Sequence, residues 1–137
     1  MKVNIAKFYA ADQAAIWDQI AESWQRHRHK PLPEIKQLID QINQEAAAYF
    51  KHKKKKLRLV DLGCANARNL LYFNDKVLEL YGVDFSPLML YYARKNLERK
   101  GINAKLIHAS VTKLPLASNS FDYCFFIAAL HNLDPEK

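Results

Sequence analysis

Two acidic residues stand at the ends of apolar segments, where their side chains could bind a ligand. Asp61 lies near the end of Leu57–Leu62, which leads into a loop of small residues that begins at Gly63. Asp84 follows Gly63 by 21 residues and ends the apolar segment Val77–Val83. In nucleotide-binding α/β units, small side chains let a ligand approach the backbone, and an acid after the second strand accepts hydrogen bonds from ribose hydroxyls. The spacing therefore predicts a ribose-containing cofactor.

Three classes of cofactor site can be compared with this layout. A phosphate-binding P-loop needs Gly-Lys-Ser/Thr where the following helix starts, and this chain has Ala67-Arg68-Asn69 there. A dinucleotide site needs Gly-x-Gly-x-x-Gly, but the loop contains only Gly63, and the nearby Asp61 would repel a pyrophosphate. The same acid suits a ligand that carries an ammonium group. These residues favour S-adenosylmethionine.

Three segments, in the right order and spacing, resemble motifs of the class I S-adenosylmethionine-dependent methyltransferases. Asp61–Ala67 resembles their Asp-x-Gly-x-Gly-x-Gly loop, Tyr81–Ser86 their second motif, and Leu114–Asp122 the approach to their fourth strand. Ala65 and Ala67 stand where the family usually has glycine. An alanine at either position is unfavourable if the backbone there has a positive φ.

The resemblance implies which residues hold the cofactor. Asp84 would bind the ribose hydroxyls, Asp61 would face the ammonium group, and Phe85 would lie against the adenine. Ser110 replaces an acid that the family usually has near the adenine amino group. The implied cofactor-binding residues are Asp61, Gly63, Cys64, Ala65, Asn66, Asp84, Phe85, Ser86, Ser110, Val111 and Ala128.

The amino-terminal segment resembles a narrower group. Trp17–Trp24 and Arg26–Pro33 are similar to the start of the methyltransferases that complete carboxymethyl groups on wobble uridines of tRNA, and Ile127–Leu133 is similar to a stretch that lines their pocket. This resemblance implies methyl esterification on tRNA, with a small zinc-binding activator subunit as a partner. A substrate carboxylate is already a nucleophile, so no catalytic residue is assigned, and His131 is a candidate pocket residue. The candidate RNA contacts are Arg28, Lys30, Lys53, Lys54 and Lys55.

Two other functions stay open. The sequence ends soon after the predicted fourth strand, so we expect the last strands of the fold to be lacking and a sheet edge to be unpaired. The chain could then be a catalytically inert fragment or a regulatory subunit that pairs through this edge. Alternatively, it could methylate a small molecule, in which case the basic clusters are incidental.

The composition is that of a globular protein. Half of the 137 residues are hydrophobic, no run of about 18 apolar residues occurs, and residues 1–10 lack the apolar centre of a signal peptide. We therefore expect a cytoplasmic protein with no membrane partner. Cys64 and Cys124 have no paired spacing, so neither a disulfide nor a metal site is expected. The formal net charge of +7 favours a polyanionic partner.

Periodicity and capping residues predict the elements that must position these side chains. The predicted helices are Asp12–Arg26, Pro33–Phe50, Asn66–Phe73 and Pro87–Lys100, and the predicted strands are Val77–Asp84, Lys105–His108, Phe121–Leu130 and one that starts at Leu57. Together they predict a Rossmann-like α/β fold, a mostly parallel sheet with helices on both faces. Residues 1–50 would form an amino-terminal helical region, and residues 51–137 the cofactor-binding part of an incomplete methyltransferase domain.

Overall fold

The computed structural model describes residues 5–127, with side chains from residue 13 onward. Its elements are α1 (Ile5–His27), α2 (Pro33–Lys53), β1 (Leu57–Leu62), a 3-10 turn (Leu70–Tyr72), β2 (Leu78–Asp84), α3 (Pro87–Lys100), β3 (Ala104–His108) and β4 (Tyr123–Phe125). The predictions for Ala128 and His131 lie outside the described residues. None of the helices within residues 5–127 is both long enough and apolar enough to span a membrane.

The four strands form one parallel sheet in the order β3-β2-β1-β4. The register pairs Asp61 with Gly82 and Asp84 with His108, so both acids lie at the carboxyl ends of neighbouring strands. Strand β2 is almost wholly buried, which explains why apolar residues fill it nearly continuously. The predicted Rossmann-like α/β fold is confirmed.

Helices α2 and α3 pack on one face of the sheet and share a hydrophobic core with it. The helical residues buried in this core are Ile39, Ile42, Ala46, Leu90, Ala93 and Leu97. Leu38 and Tyr49 are also apolar residues of α2, but they are 42% and 37% exposed. At roughly 100° per residue, both lie about a quarter turn from Ile39 on the same flank of the helix, away from the sheet.

The other face of the sheet carries a smaller core. Val60, Tyr81 and Val83 are buried there, and partly buried residues from segment 109–121 pack against them. No helix or strand forms between residues 109 and 122. Within the described range, an irregular segment therefore covers this face, and the helices predicted on both faces are found on one face only.

The predicted helix Asn66–Phe73 does not form. The 3-10 turn Leu70–Tyr72 is the only regular element between β1 and β2. Ala65 and Ala67 have φ values of 48° and 68°, and the amide of Ala67 donates to the carbonyl oxygen of Cys64 at 2.9 Å. Because α-helical residues need a negative φ, the backbone cannot enter a helix at these positions.

Strand β4 begins later than predicted. Its residues Tyr123–Phe125 pair with β1, whereas the prediction began at Phe121. The carboxylate of Asp122 accepts a hydrogen bond from the Arg58 amide at 2.8 Å, and the Asp122 amide donates to the Arg58 carbonyl at 2.8 Å. A side-chain oxygen thus takes the place of a backbone acceptor, which delays the regular strand pairing.

Candidate functional site

The loop after β1 packs directly on the end of β2. The amides of Gly63 and Cys64 both donate to the carbonyl oxygen of Val83, at 2.8 and 2.9 Å. Gly63 has a φ of 72°. A Cβ atom on Gly82 would lie 2.9 Å from the Cys64 sulfur, so the loop and the strand fit together only because Gly82 has no side chain. Small residues therefore bring the loop backbone to the carboxyl edge of the sheet.

The carboxylate of Asp84 is held in place by this loop. One oxygen accepts from the Ala65 amide and the other from the Ser86 amide, each at 2.9 Å. Asp84 is buried, and burial raises its pKa, while the hydrogen bonds from Ser86 and Ala65 act in the opposite direction. A carboxylate offers about four acceptor positions, so Asp84 can also accept from a hydroxyl group of a ligand.

Asp61 is buried and incompletely paired. Its side chain is 2% exposed, and Oδ2 has no hydrogen-bond partner. Burial, and next the negative charge of Asp84, raise the pKa of Asp61 to about 7, while the charge of Arg68 acts to lower it. A buried carboxylate without a partner is unfavourable, and a ligand cation beside it would remove much of that cost. The orphaned oxygen therefore fits an ammonium group.

Arg68, whose charge interacts with that of Asp61, forms a cationic pair with Arg28. The guanidinium groups of Arg28 and Arg68 lie 5.5 and 5.4 Å from the ring centre of Trp24. Burial, and then the charge of Arg28, lower the pKa of Arg68. Neither arginine takes part in any of the salt bridges found among the described residues. The pair could therefore accept an anionic group of a ligand.

Sequence reasoning did not identify Arg68 as a functional residue. In the sequence, Arg68 stands where a P-loop would have its lysine. Its position directly after the small-residue loop was the available signal. Its partner Trp24 lies about 44 residues earlier, and no local pattern connects the two positions.

Helix α1 lies over the loop and over the start of α3. The Ser86 hydroxyl donates to the Asp18 carboxylate at 2.5 Å and accepts from the Met89 amide at 3.1 Å. Ser86 is fully buried. Its hydroxyl therefore caps α3 and connects it to α1 away from solvent. Asp18 is a second residue near the site that the sequence analysis did not predict.

The predicted adenine-side residues lie at the same edge of the sheet. Phe85 is half-buried, and the ring nitrogen Nε2 of His108 lies 3.0 Å from its carbonyl oxygen. Ser110 is exposed, and its hydroxyl bonds that of Thr112 at 2.7 Å. Val111 is partly exposed beside it. The structure thus brings these residues near Asp84 through the pairing of β2 with β3.

The predicted basic residues fall into two separate places. Arg28 and Lys30 follow α1, and the Arg28 carbonyl accepts a hydrogen bond from Asn66 of the loop at 3.0 Å. The basic residues 53–55 end α2 and precede β1, so they lie at the amino end of the sheet. The length of β1, about 17 Å at its usual rise, separates them from the loop. The structure does not bring the two basic groups together.

A parallel sheet with two acids at its carboxyl edge, one beside a loop of small residues, defines a nucleotide-cofactor-binding α/β protein. Within this class, the sequence matches the family described as "Methyltransferase domain" over residues 59–137, and the chain belongs to that family. S-adenosylmethionine is the cofactor that the family implies, and the two carboxylates described above fit it.

Two curated relatives share part of the sequence. The demethylmenaquinone methyltransferase of Geobacillus kaustophilus (strain HTA426) is 41% identical over 56 residues, which are 40% of this chain and 24% of the relative. The enzyme of the same name from Geobacillus stearothermophilus is 39% identical over the same shares. The match therefore spans about a quarter of the length of these relatives.

Solved structures share the fold at low identity. YjhP from E. coli is 21% identical, with a TM-score of 0.54, over 79% of this chain and 42% of YjhP. An S-adenosylmethionine-dependent methyltransferase from Methanococcus maripaludis is 17% identical, with a TM-score of 0.54, over 81% of this chain and 47% of that protein. These likenesses establish the Rossmann-like methyltransferase fold.

Proposed function

We propose that this protein acts as an S-adenosylmethionine-dependent methyltransferase on a small molecule. The observation that carries the proposal is the buried Asp61 carboxylate with an unpaired oxygen, beside the small-residue loop and the fixed carboxylate of Asp84. A nucleoside cofactor with a positively charged amino-acid end matches both acids. The similarity to two enzymes named demethylmenaquinone methyltransferase supports a small organic substrate, with that quinone as the first one to test.

Each end of the cofactor would meet a different group of this chain. Asp61 would face the ammonium group, and the Arg28–Arg68 pair would face the carboxylate. Asp84 would accept hydrogen bonds from the ribose hydroxyls. Phe85 would contact the adenine, with Ser110 and Val111 at its edge.

The residues of this chain would contribute chiefly by binding and orientation. When bound, S-adenosylmethionine supplies a methyl group that is already activated by the positive sulfur. The chain has to hold donor and nucleophile in line and to exclude water, which can account for much of a rate enhancement. The loop of residues 63–67 and helix α1 would shield this edge of the sheet from solvent.

The proposed site makes cofactor affinity depend on pH. A cation beside Asp61 favours the ionised carboxylate, whose pKa in the free protein is raised to about 7 by burial. Below pH 7, binding must therefore release a proton, and this weakens the apparent affinity. We expect affinity to rise as the pH increases from 6 to 8.

Transfer RNA is a second candidate substrate. The resemblance of the amino-terminal segment and the position of Arg28 and Lys30 near the loop support it. The location of Lys53, Lys54 and Lys55 at the far end of β1 gives it less support, because these residues would contact RNA away from the cofactor. A zinc-binding activator subunit would belong to this second proposal only.

Calorimetric titration with S-adenosylmethionine tests the site. Asp84→Asn removes the ionised acceptor with little change of shape, so we expect affinity to fall at least about tenfold. Asp40→Asn, at an exposed acid on α2, is the matched control and should bind like the wild type. Equal affinity in a folded Asp84→Asn variant would contradict the proposed site.

A methyl-transfer assay separates the candidate substrates. Cofactor labelled on its methyl group is incubated with the protein and either a demethylmenaquinone analogue or unmodified tRNA. Label in the quinone product supports the small-molecule proposal, while label in tRNA alone would replace it with the second candidate. Cofactor binding without transfer to either would favour the inert alternative.

A further inference from the structure

The loop after β1 holds a backbone conformation that its own residues disfavour. Ala65 and Ala67 both have positive φ, which residues with a Cβ atom rarely adopt. Asn66 lies between them and is 1% exposed. Such conformations persist only where surrounding contacts fix them. The question is which contacts do so here.

Three side chains from distant parts of the sequence meet at this loop, and we call Gln25, Asn66 and Asn96 the amide clamp. Asn66 Nδ2 donates to Gln25 Oε1 at 2.9 Å, and Asn96 Nδ2 donates to the Asn66 carbonyl at 3.0 Å. Gln25 and Asn96 exchange two further hydrogen bonds, of 2.7 and 2.8 Å. The clamp thus holds Asn66 by both its side chain and its backbone.

We propose that Gln25 of α1 is a positioning residue for the cofactor loop. It fixes Asn66 together with Asn96, and so maintains the left-handed conformation of Ala65 and Ala67. The Ala65 amide can then reach Asp84 at 2.9 Å. Contacts from helix α1 would thereby stabilise a backbone conformation that glycine at positions 65 and 67 would adopt without them. The effect on cofactor affinity rests on the proposed function, but the effect on the loop does not.

Ligand-free hydrogen exchange tests the proposal directly. Gln25→Met keeps the length of the side chain and removes its hydrogen bonds, so we expect the amides of Ala65 and Ala67 to exchange at least about tenfold faster. Gln41→Met, at an exposed glutamine of α2, is the matched control and should leave both rates unchanged. Unchanged exchange in Gln25→Met would overturn the proposal.

Glycine at positions 65 and 67 should make the clamp dispensable. In an Ala65→Gly, Ala67→Gly background, we expect Gln25→Met to change exchange at residues 65 and 67 less than threefold. A purely structural role of Gln25 predicts the same loss in both backgrounds, and that result would overturn the proposal. Because the Ala67 methyl group is buried in the core, Ala65→Gly alone serves as the background if the double variant does not fold.

Cofactor affinity provides the second readout. Gln25→Met should weaken S-adenosylmethionine binding about tenfold with the alanine loop and less than threefold with the glycine loop. An equal loss in both would overturn the positioning role. If the wild type binds no S-adenosylmethionine, the proposed function fails, and the exchange experiment still decides the role of Gln25.

Discussion

The two connections that join β1 to β2 and β2 to β3 are built in different ways. Both link neighbouring parallel strands, which usually requires a helix. The segment between β2 and β3 contains the regular helix α3, whereas residues 63–77 contain only the 3-10 turn Leu70–Tyr72. The first connection supplies the small-residue loop of the proposed cofactor site, and the second begins with Phe85 and Ser86 at the same edge of the sheet.

The difference lies in where the stabilising contacts come from. Helix α3 is defined by its own ends, with Ser86 as the amino-terminal cap, Pro87 in the first turn and Gly101 as the carboxyl-terminal cap. The loop after β1 depends instead on side chains that are far away in sequence, such as Gln25 and Asp84. Capping and propensity rules that use neighbouring residues therefore predict α3 well. They do not predict the conformation of the loop, as is expected near a functional site.

The largest expected effect is the pH dependence of stability that comes from Asp61, the β1 residue that leads into the first connection. Its pKa is raised from 3.8 to about 7, so between these values the folded state holds a proton that the unfolded state releases. The resulting stability is fully present below pH 3.8 and is lost as the pH rises through 7. The loss amounts to about 4 kcal/mol for this group. Urea unfolding at pH 5 and pH 8 should show about 3 kcal/mol of this loss, because the remainder falls below pH 5.

Asp61→Asn should remove this dependence and raise the free energy of unfolding at pH 8. It should also weaken S-adenosylmethionine binding, since the ammonium group loses its partner. Asp40→Asn is the control for the loss of one negative charge and should keep the pH dependence of the wild type. The assignment fails if Asp61→Asn and the wild type lose the same stability between pH 5 and pH 8.

The next largest effect on stability is expected at Gly82, which lies beside the first connection, and it can be compared with Gly101 in the second. A Cβ on Gly82 would lie 2.9 Å from atoms of Cys64 and Leu70 in the first connection and 3.0 Å from Leu106. We expect Gly82→Ala to cost about 3 kcal/mol of unfolding free energy, because these neighbours must move. A Cβ on Gly101 would meet nothing within 4 Å, but its φ is 66°. Gly101→Ala should therefore cost only about 1 kcal/mol, through backbone strain.

Denaturant unfolding of both glycine variants measures this difference. Equal costs would mean that the loop after β1 can shift away from β2 without loss. Such a result would contradict the close packing of the loop on this strand. It would also weaken the comparison between a loop fixed by tertiary contacts and a helix fixed by its own caps.

Removing the Ser86 hydroxyl should have an intermediate effect on stability, because this group caps a helix locally and also makes a contact that is distant in sequence. The hydroxyl caps α3 through the Met89 amide and also donates to Asp18 of α1. We expect Ser86→Ala to cost about 2 kcal/mol, more than a cap usually contributes alone. Ser23→Ala, at an exposed serine of α1, is the control. A cost no larger than about 0.5 kcal/mol, seen by thermal unfolding, would show that neither bond contributes.

The sequence predicted those parts of the fold that depend on neighbouring residues. The capping residues of α3 and the continuous apolar segment of β2 were recognised because their signals are local. The positions of Asp61 and Asp84 were also predicted, since parallel strands bring their carboxyl ends to one edge. The tie between Ser86 and Asp18 was not, because 68 residues separate the two side chains.

The backbone conformation of the loop after β1 cannot be predicted from the sequence alone. Alanine at positions 65 and 67 was recognised as unfavourable if φ is positive, and both φ values are positive. A helix is nevertheless predicted from residue 66, because a helix follows the loop in nucleotide-binding α/β units. The tertiary contacts of Asn66 hold the backbone in another conformation, and sequence periodicity contains no information about them.

The smallest expected effect is a contrast between two alanine-to-glycine substitutions, which should change the free energy of unfolding in opposite directions. Ala65→Gly relieves a Cβ in left-handed backbone, and we expect a gain of about 0.5 kcal/mol after the greater freedom of glycine in the unfolded chain is subtracted. Ala48→Gly lies in the exposed interior of α2 and should lose about 1 kcal/mol. Thermal unfolding of both variants measures the contrast. A loss at both positions would mean that Ala65 is not strained in solution, and the loop would then need no support from α1.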